Sequence, residues 1–114
     1  MIIENTGLEG LQSELGYLDS VMKKLGFVRE QWEYYRATYD LEINDPKDGE
    51  TYYLRVNTRV LEGKLESPHA ILTTEHVYIG KDVFPHGVDY DAEIPNAVLQ
   101  IANNKLEQLQ KALR

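Results

Sequence analysis

Tyr35-Arg36-Ala37-Thr38-Tyr39-Asp40-Leu41-Glu42-Ile43 alternates apolar and polar side chains without a break. Period-two alternation places every second side chain on the same side of an extended backbone, so the segment reads as a half-buried β-strand. Asp45-Pro46-Lys47-Asp48-Gly49-Glu50 follows, and each of these residue types favours a turn. Beyond it, Tyr52, Leu54, Val56 and Val60 alternate with Tyr53, Arg55, Asn57 and Arg59. The two runs therefore predict an antiparallel hairpin with one apolar and one polar face. Directly paired residues share a face, so odd-numbered residues must meet even-numbered ones. A register in which paired numbers sum to 95 sets Asp40 opposite Arg55 but Arg36 opposite Arg59. A sum of 97 sets Glu42 opposite Arg55 and Thr38 opposite Arg59. Cross-strand charge preferences favour 97 slightly, and both stay open.

Outward from this hairpin, the first strand is expected to extend back to residue 27. A third strand is expected over residues 69–79, where Ile71, Val77 and Ile79 stand against Ala70, Leu72 and Tyr78. Apolar side chains of both parities mean that a bulge switches the face or that both faces are covered. Leu8, Leu11, Leu15, Leu18, Met22 and Leu25 recur at helical spacing and predict a first helix. It starts either at Thr6, with Glu9 completing a capping box, or near Ser13, since Gly7 and Gly10 weaken the earlier turn. Lys23, Lys24 and Gly26 close it. Leu99, Ala102, Leu106, Leu109 and Leu113 predict a last helix starting between Asp91 and Pro95. Residues 80–95 carry Gly80, Pro85, Gly87 and Pro95 and read as a long loop with a short strand near Val83-Phe84.

The expected fold is α+β: an antiparallel β-meander of three to five strands, with the N- and C-terminal helices packed on one face. One domain over residues 1–114 is expected from the length. Leu15, Leu18, Met22, Tyr39, Leu54, Val56, Leu99 and Leu106 are expected in its core.

The chain contains no cysteine, which excludes disulfides, thiolate metal sites and cysteine nucleophiles. No apolar run approaches the length of a membrane span, and the first residues lack the basic and apolar regions of a secretion signal. These features predict a cytoplasmic protein that does not enter membranes. Twelve basic against nineteen acidic side chains give a net charge of −7. That field opposes phosphate and argues against nucleic acid as a partner.

If Tyr35, Tyr39, Leu54 and Val56 face the helices, then Trp32, Tyr34, Arg36, Tyr53, Arg55 and Arg59 face away. Aromatic residues mixed with arginine are the composition of protein contacts, although a solvated strand face also carries aromatics. These six residues are the candidate face for a homodimer or for an unidentified protein partner. The second candidate is the late loop, where His86, Asp89 and Asp91 offer nitrogen and oxygen ligands. Their spacing matches no metal signature, and Asp89 and Asp91 suit the cap of the last helix. No metal or cofactor is expected. Asn44, Asp45 and Asp48 before Gly49 lack the full pattern of a calcium loop and read as a turn. His69 and His76 are expected on opposite faces of one strand. Glu75 and His76 are expected to face opposite ways as well. There is no phosphate loop, nucleophile elbow or Ser-His-Asp order.

Leu8-Glu9-Gly10, Leu25-Gly26-Phe27, Trp32 with Tyr34, Tyr53-Leu54-Arg55-Val56 and Gly87-Val88-Asp89 are short motifs spread over most of the chain. In these motifs the chain resembles the YugN-like family, small proteins of Bacillus-type bacteria. The resemblance implies a bacterial cytoplasmic protein of a family without an assigned activity. It brings no catalytic residues. No specific activity follows from the residues, so the function stays unknown. The leading expectation is a non-enzymatic domain acting through self-association or partner binding. The alternative is a small-molecule or metal-dependent activity centred on the 80–95 loop.

Overall fold

A computed structural model describes residues 1–30 and 33–114 in full. The elements run β1 (Ile2–Ile3), β2 (Gln12–Glu14), α1 (Leu15–Leu25), β3 (Val28–Glu33), β4 (Arg36–Asn44), β5 (Thr51–Glu62), β6 (Ile71–Asp82), β7 (Val88–Asp89) and α2 (Asn96–Leu113). The fold is α+β. Its antiparallel sheet has the order β1-β6-β5-β4-β3, with β2 and β7 also pairing with β6. Seven strands exceed the expected three to five. The additional ones are short pieces recruited by the long β6, too brief for a periodic signal.

The stretch expected as one strand over residues 27–44 is two. It reverses at Tyr34-Tyr35, where Glu33 pairs with Arg36. Tyr35 therefore stands 68% exposed at a hairpin tip, not on the core face. Neither residue is a customary turn former, which is why the turn is silent in the sequence.

The register of β4 with β5 sums to 95, so the preference for 97 is overturned. Asp40 takes Arg55 through both carboxylate oxygens, at 2.7 and 2.8 Å. Arg36 does lie opposite Arg59, but Glu75 of β6 reaches both, at 3.8 and 3.3 Å. A count over two strands misses the third strand that offsets the like charges. The turn fits the same register: Asp45 N–H donates to the Glu50 carbonyl at 2.9 Å.

Core positions follow the two strand parities. Ala37, Tyr39, Leu41 and Ile43 of β4 and Tyr52, Leu54 and Val56 of β5 are buried. In β6 a bulge changes parity: Val56 pairs with Val77 but Thr58 with Thr74, so Glu75 and His76 share one position opposite Asn57. Leu72 and Thr74 before it, and Val77 and Ile79 after it, are all buried. Of the two explanations for mixed parity, the bulge holds. It also corrects the expectation for Glu75 and His76. Glu75 pairs with the outer-face arginines, and the His76 ring lies 6.2 Å from the outer-face Tyr78 and meets Glu9 at 2.9 Å, so the two share a side. His69 precedes the strand and lies 3.4 Å from Glu14.

The first helix starts at Leu15, close to the later of the two expected starts. Gly7 and Gly10 hold φ of 74° and 83°, a backbone that cannot continue a helix. Leu8 leaves the helix yet is fully buried. The first helical N–H groups are received by the chain before β6: Leu15 donates to the Ala70 carbonyl at 2.8 Å and Gly16 to Pro68 at 2.9 Å. Gly26, at φ 95°, closes the helix. In α2, Val98, Ala102, Leu106 and Leu109 are buried, while Leu99 is only partly so. These side chains, those of α1 and the core face of the strands form one cluster. The opposite sheet face is the outer face.

Candidate functional site: the outer sheet face

The registers arrange the outer face in rows across the strands. One row reads Ile2, Tyr78, Arg55, Asp40, Val28 across five strands. Its ends are apolar and open, with Ile2 51% and Val28 63% exposed. Its centre is the half-buried Arg55–Asp40 pair. Beside it lie Gly80, Tyr53 and Glu42. Nearer the Tyr34-Tyr35 hairpin, a parallel row reads Gln12, Thr73, Arg59, Arg36, Glu33.

Two hollows flank the Arg55–Asp40 pair. One, of about 410 Å³, is lined by Met1, Ile2, Arg55, Asn57, Tyr78, Tyr90 and Asp91. The other, of about 430 Å³, is bounded by Val28, Glu30, Asp40, Glu42, Tyr53 and Gly26. Tyr90 reaches the face because residue 80 is glycine. A Cβ there would lie 2.5 Å from Val88 Cγ1 and 2.9 Å from Tyr90 Cδ1. Tyr78 and Tyr90 meet edge to face at 5.8 Å between centroids. Burial pushes the Tyr90 phenol up, with Arg55 acting in the opposite sense. Asn57 Oδ1 is buried and has no hydrogen-bond partner among the described residues.

The six expected face residues divide into groups. Trp32 lies outside the described residues. Tyr34 is 81% exposed at the hairpin tip, next to Tyr35, and Val60 N–H donates to the Tyr35 carbonyl at 2.8 Å. Leu61, 40% exposed, extends this patch. Arg36 and Arg59 border it. Tyr53 and Arg55 sit further along the face, half-buried, and Arg55 is committed to Asp40 within the chain.

The late-loop candidates separate. His86 lies exposed in the turn between β6 and β7, its N–H bonded to the Val83 carbonyl. Asp89 lies in β7 and accepts from Asp91 N–H at 2.9 Å. Neither carboxylate caps α2, whose N-cap is Pro95 without a side-chain bond. Among the described residues no three His, Asp or Glu side chains are grouped to hold a metal ion. The short strand of this segment is Val88–Asp89, not Val83-Phe84.

Asn57, Tyr78 and Tyr90 did not stand out in the sequence as one group. Asn57 reads as an outer-face residue, but the bulge hides the parity of Tyr78. The one signal was Gly80 inside a β-rich run, which marks a close approach.

Two helices over one face of an antiparallel sheet define an α+β architecture. The YugN-like family model matches residues 4–113. The chain belongs to that family. It is 38% identical over 86 residues to the uncharacterized protein YlbA of Bacillus subtilis (strain 168), covering 75% of this chain and 70% of that one. It is also similar to the crystal structure of the uncharacterized conserved protein YugN from Geobacillus kaustophilus HTA426. That match has a TM-score of 0.86 and 40% identity, and covers 99% of this chain and 94% of that one. These relatives are uncharacterized and bring no activity with them.

Proposed function

We propose that the chain is a cytoplasmic, non-enzymatic association domain that forms a homodimer through the hairpin end of its outer face. The observation that carries this reading is the patch of Tyr34, Tyr35 and Leu61, which are 81%, 68% and 40% exposed. Large aromatic side chains exposed at a hairpin tip and bordered by arginine are typical of contact centres. Burying them recovers about 25 cal/mol per Å² of apolar area. A two-fold contact, in which the patch meets its own copy, is the commonest closed arrangement. Arg36 and Arg59, each 3.8 Å or less from Glu75, form a polar border to it.

Backbone amide NMR over a dilution series tests the proposal. On dilution from about millimolar to micromolar concentration, a span that brackets standard interfaces, the amides of residues 34–36 and 59–61 should shift together along one binding curve. Amides that stay fixed throughout would refute the contact.

A further inference from the structure

The 410 Å³ hollow beside Arg55 carries charges of both signs. Asp40 of β4 takes Nε and Nη2 of Arg55, at 2.7 and 2.8 Å. Because β5 runs between β4 and β6, both Nη1 donors are left on the β6 side, where the hollow lies. Met1 supplies a second cation. Its α-ammonium donates to the Ile79 carbonyl at 2.8 Å and to the Tyr90 carbonyl, and an ammonium has a third N–H. Asp91 lines the same hollow with the opposite charge, and Met1 bonds to carbonyls and not to its carboxylate. Asp40 offsets the charge of Arg55, so the hollow is close to neutral but dipolar, with donors at Arg55 and Met1 and an acceptor at Asp91. The rest of its wall is apolar. Tyr78 and Tyr90 meet edge to face at 5.8 Å, and Ile2 is 51% exposed beside them. Asn57 is wall only, because its unpaired oxygen is shut off from the hollow.

We infer that this hollow binds a zwitterionic α-amino acid with an apolar side chain, aromatic or branched. The carboxylate accepts from Arg55 Nη1 and from Met1, and the ammonium donates to Asp91, all charge-assisted bonds. The side chain lies against the tyrosine rings and Ile2. Charge selects the zwitterion. A phosphate or a dicarboxylate brings net negative charge to Asp91 and to a chain at −7, with one of the two cations already offset. A plain amine leaves the Arg55 and Met1 donors without an acceptor. A ligand of both signs and no net charge meets each group with its opposite. The volume lies within the range of small-molecule sites. The hollow is on the β1–β6–β7 side of the face, away from the hairpin tip, and binding there does not depend on association.

The test is a titration of the full chain, with Met1 as its free N-terminus, with L-phenylalanine and L-leucine at about 0.15 M salt, which screens long-range attraction. Amide NMR should show saturable shifts at Ile2, Arg55, Tyr78 and Asp91 with at least one of them. N-acetyl and carboxamide derivatives of that amino acid each lack one charge and should bind about tenfold more weakly or worse. Asp91→Asn removes the partner of the ammonium, and Arg55→Lys keeps a cation for Asp40 but loses the free guanidinium edge. Each should weaken binding by about tenfold. Circular dichroism checks the fold, and if Arg55→Lys does not fold, Asp91→Asn and the two derivatives decide. No saturable shift at about 10 mM, which covers dissociation constants up to about millimolar, overturns the inference. So does either derivative binding as tightly as its parent, or wild-type affinity in either folded variant. Solution mass is read separately, so failure here leaves the homodimer proposal standing, and the reverse.

Discussion

Tyr39 shows how one side chain serves two purposes. Its ring is 1% exposed in the core, and its hydroxyl donates to Asp19 Oδ1 at 2.6 Å. Burial first, then the bond to Asp19, push its phenol well above the ordinary value of 10.0. The unfolded chain releases this proton near pH 10 while the folded chain keeps it. The unfolded state then binds fewer protons, so stability falls as pH rises above about 10. Tyr39→Phe should cost about 1 kcal/mol at neutral pH and flatten that alkaline decline, as followed by denaturant melts across pH. Leu54 is a simpler case. It is fully buried at the centre of the core face, and Leu54→Ala should cost about 2–5 kcal/mol in the same melts. Asp40→Asn would leave the half-buried Arg55 guanidinium without its charged partner, at a cost of about 1–3 kcal/mol.

Among the elements, β6 organises the sheet. It pairs with β5, β1, β2 and β7, and its bulge lets one strand place residues of both parities in the core. Gly80 fixes the position of β7 and the tyrosine that follows it. Gly80→Ala would set a methyl group against Val88 and the Asp89 carbonyl and should cost about 1–3 kcal/mol. Amide exchange should quicken at Val88 and Asp89 more than in β4, which would show that the strain falls locally. The β4–β5 hairpin and the hydrophobic stripes of α1 and α2 were legible because each repeats a simple period over many residues. The Tyr34-Tyr35 reversal was not, because alternation runs through it and no glycine, proline, asparagine or aspartate marks it. The register of β4 on β5 was not legible either, since it depends on Glu75, 16 residues beyond Arg59 in the chain. Of the candidate face, Arg36, Arg55 and Arg59 were correctly assigned away from the core by parity. Asn57 and Tyr90 form one hollow only after the bulge and Gly80 have brought β6 and the 89–91 segment together.

At the scale of the whole molecule, charge and shape set the terms of association. Each chain carries −7, so two copies repel at long range. Added salt screens that repulsion, and the proposed homodimer should tighten as ionic strength rises, as read from its dissociation constant. No helix among the described residues is long and apolar enough to cross a membrane. The two helices cover one side of the sheet, and the hairpin tip carries its most exposed tyrosines, so the proposed contact lies there. Sedimentation equilibrium of the wild type and of a Tyr34→Ser, Tyr35→Ser double variant measures it directly. At about tens of micromolar, above the dissociation constant of a standard interface, the wild type should weigh twice 13.1 kDa and the variant 13.1 kDa. A wild type that stays at 13.1 kDa, or a dimer that the double variant leaves intact, would contradict the account.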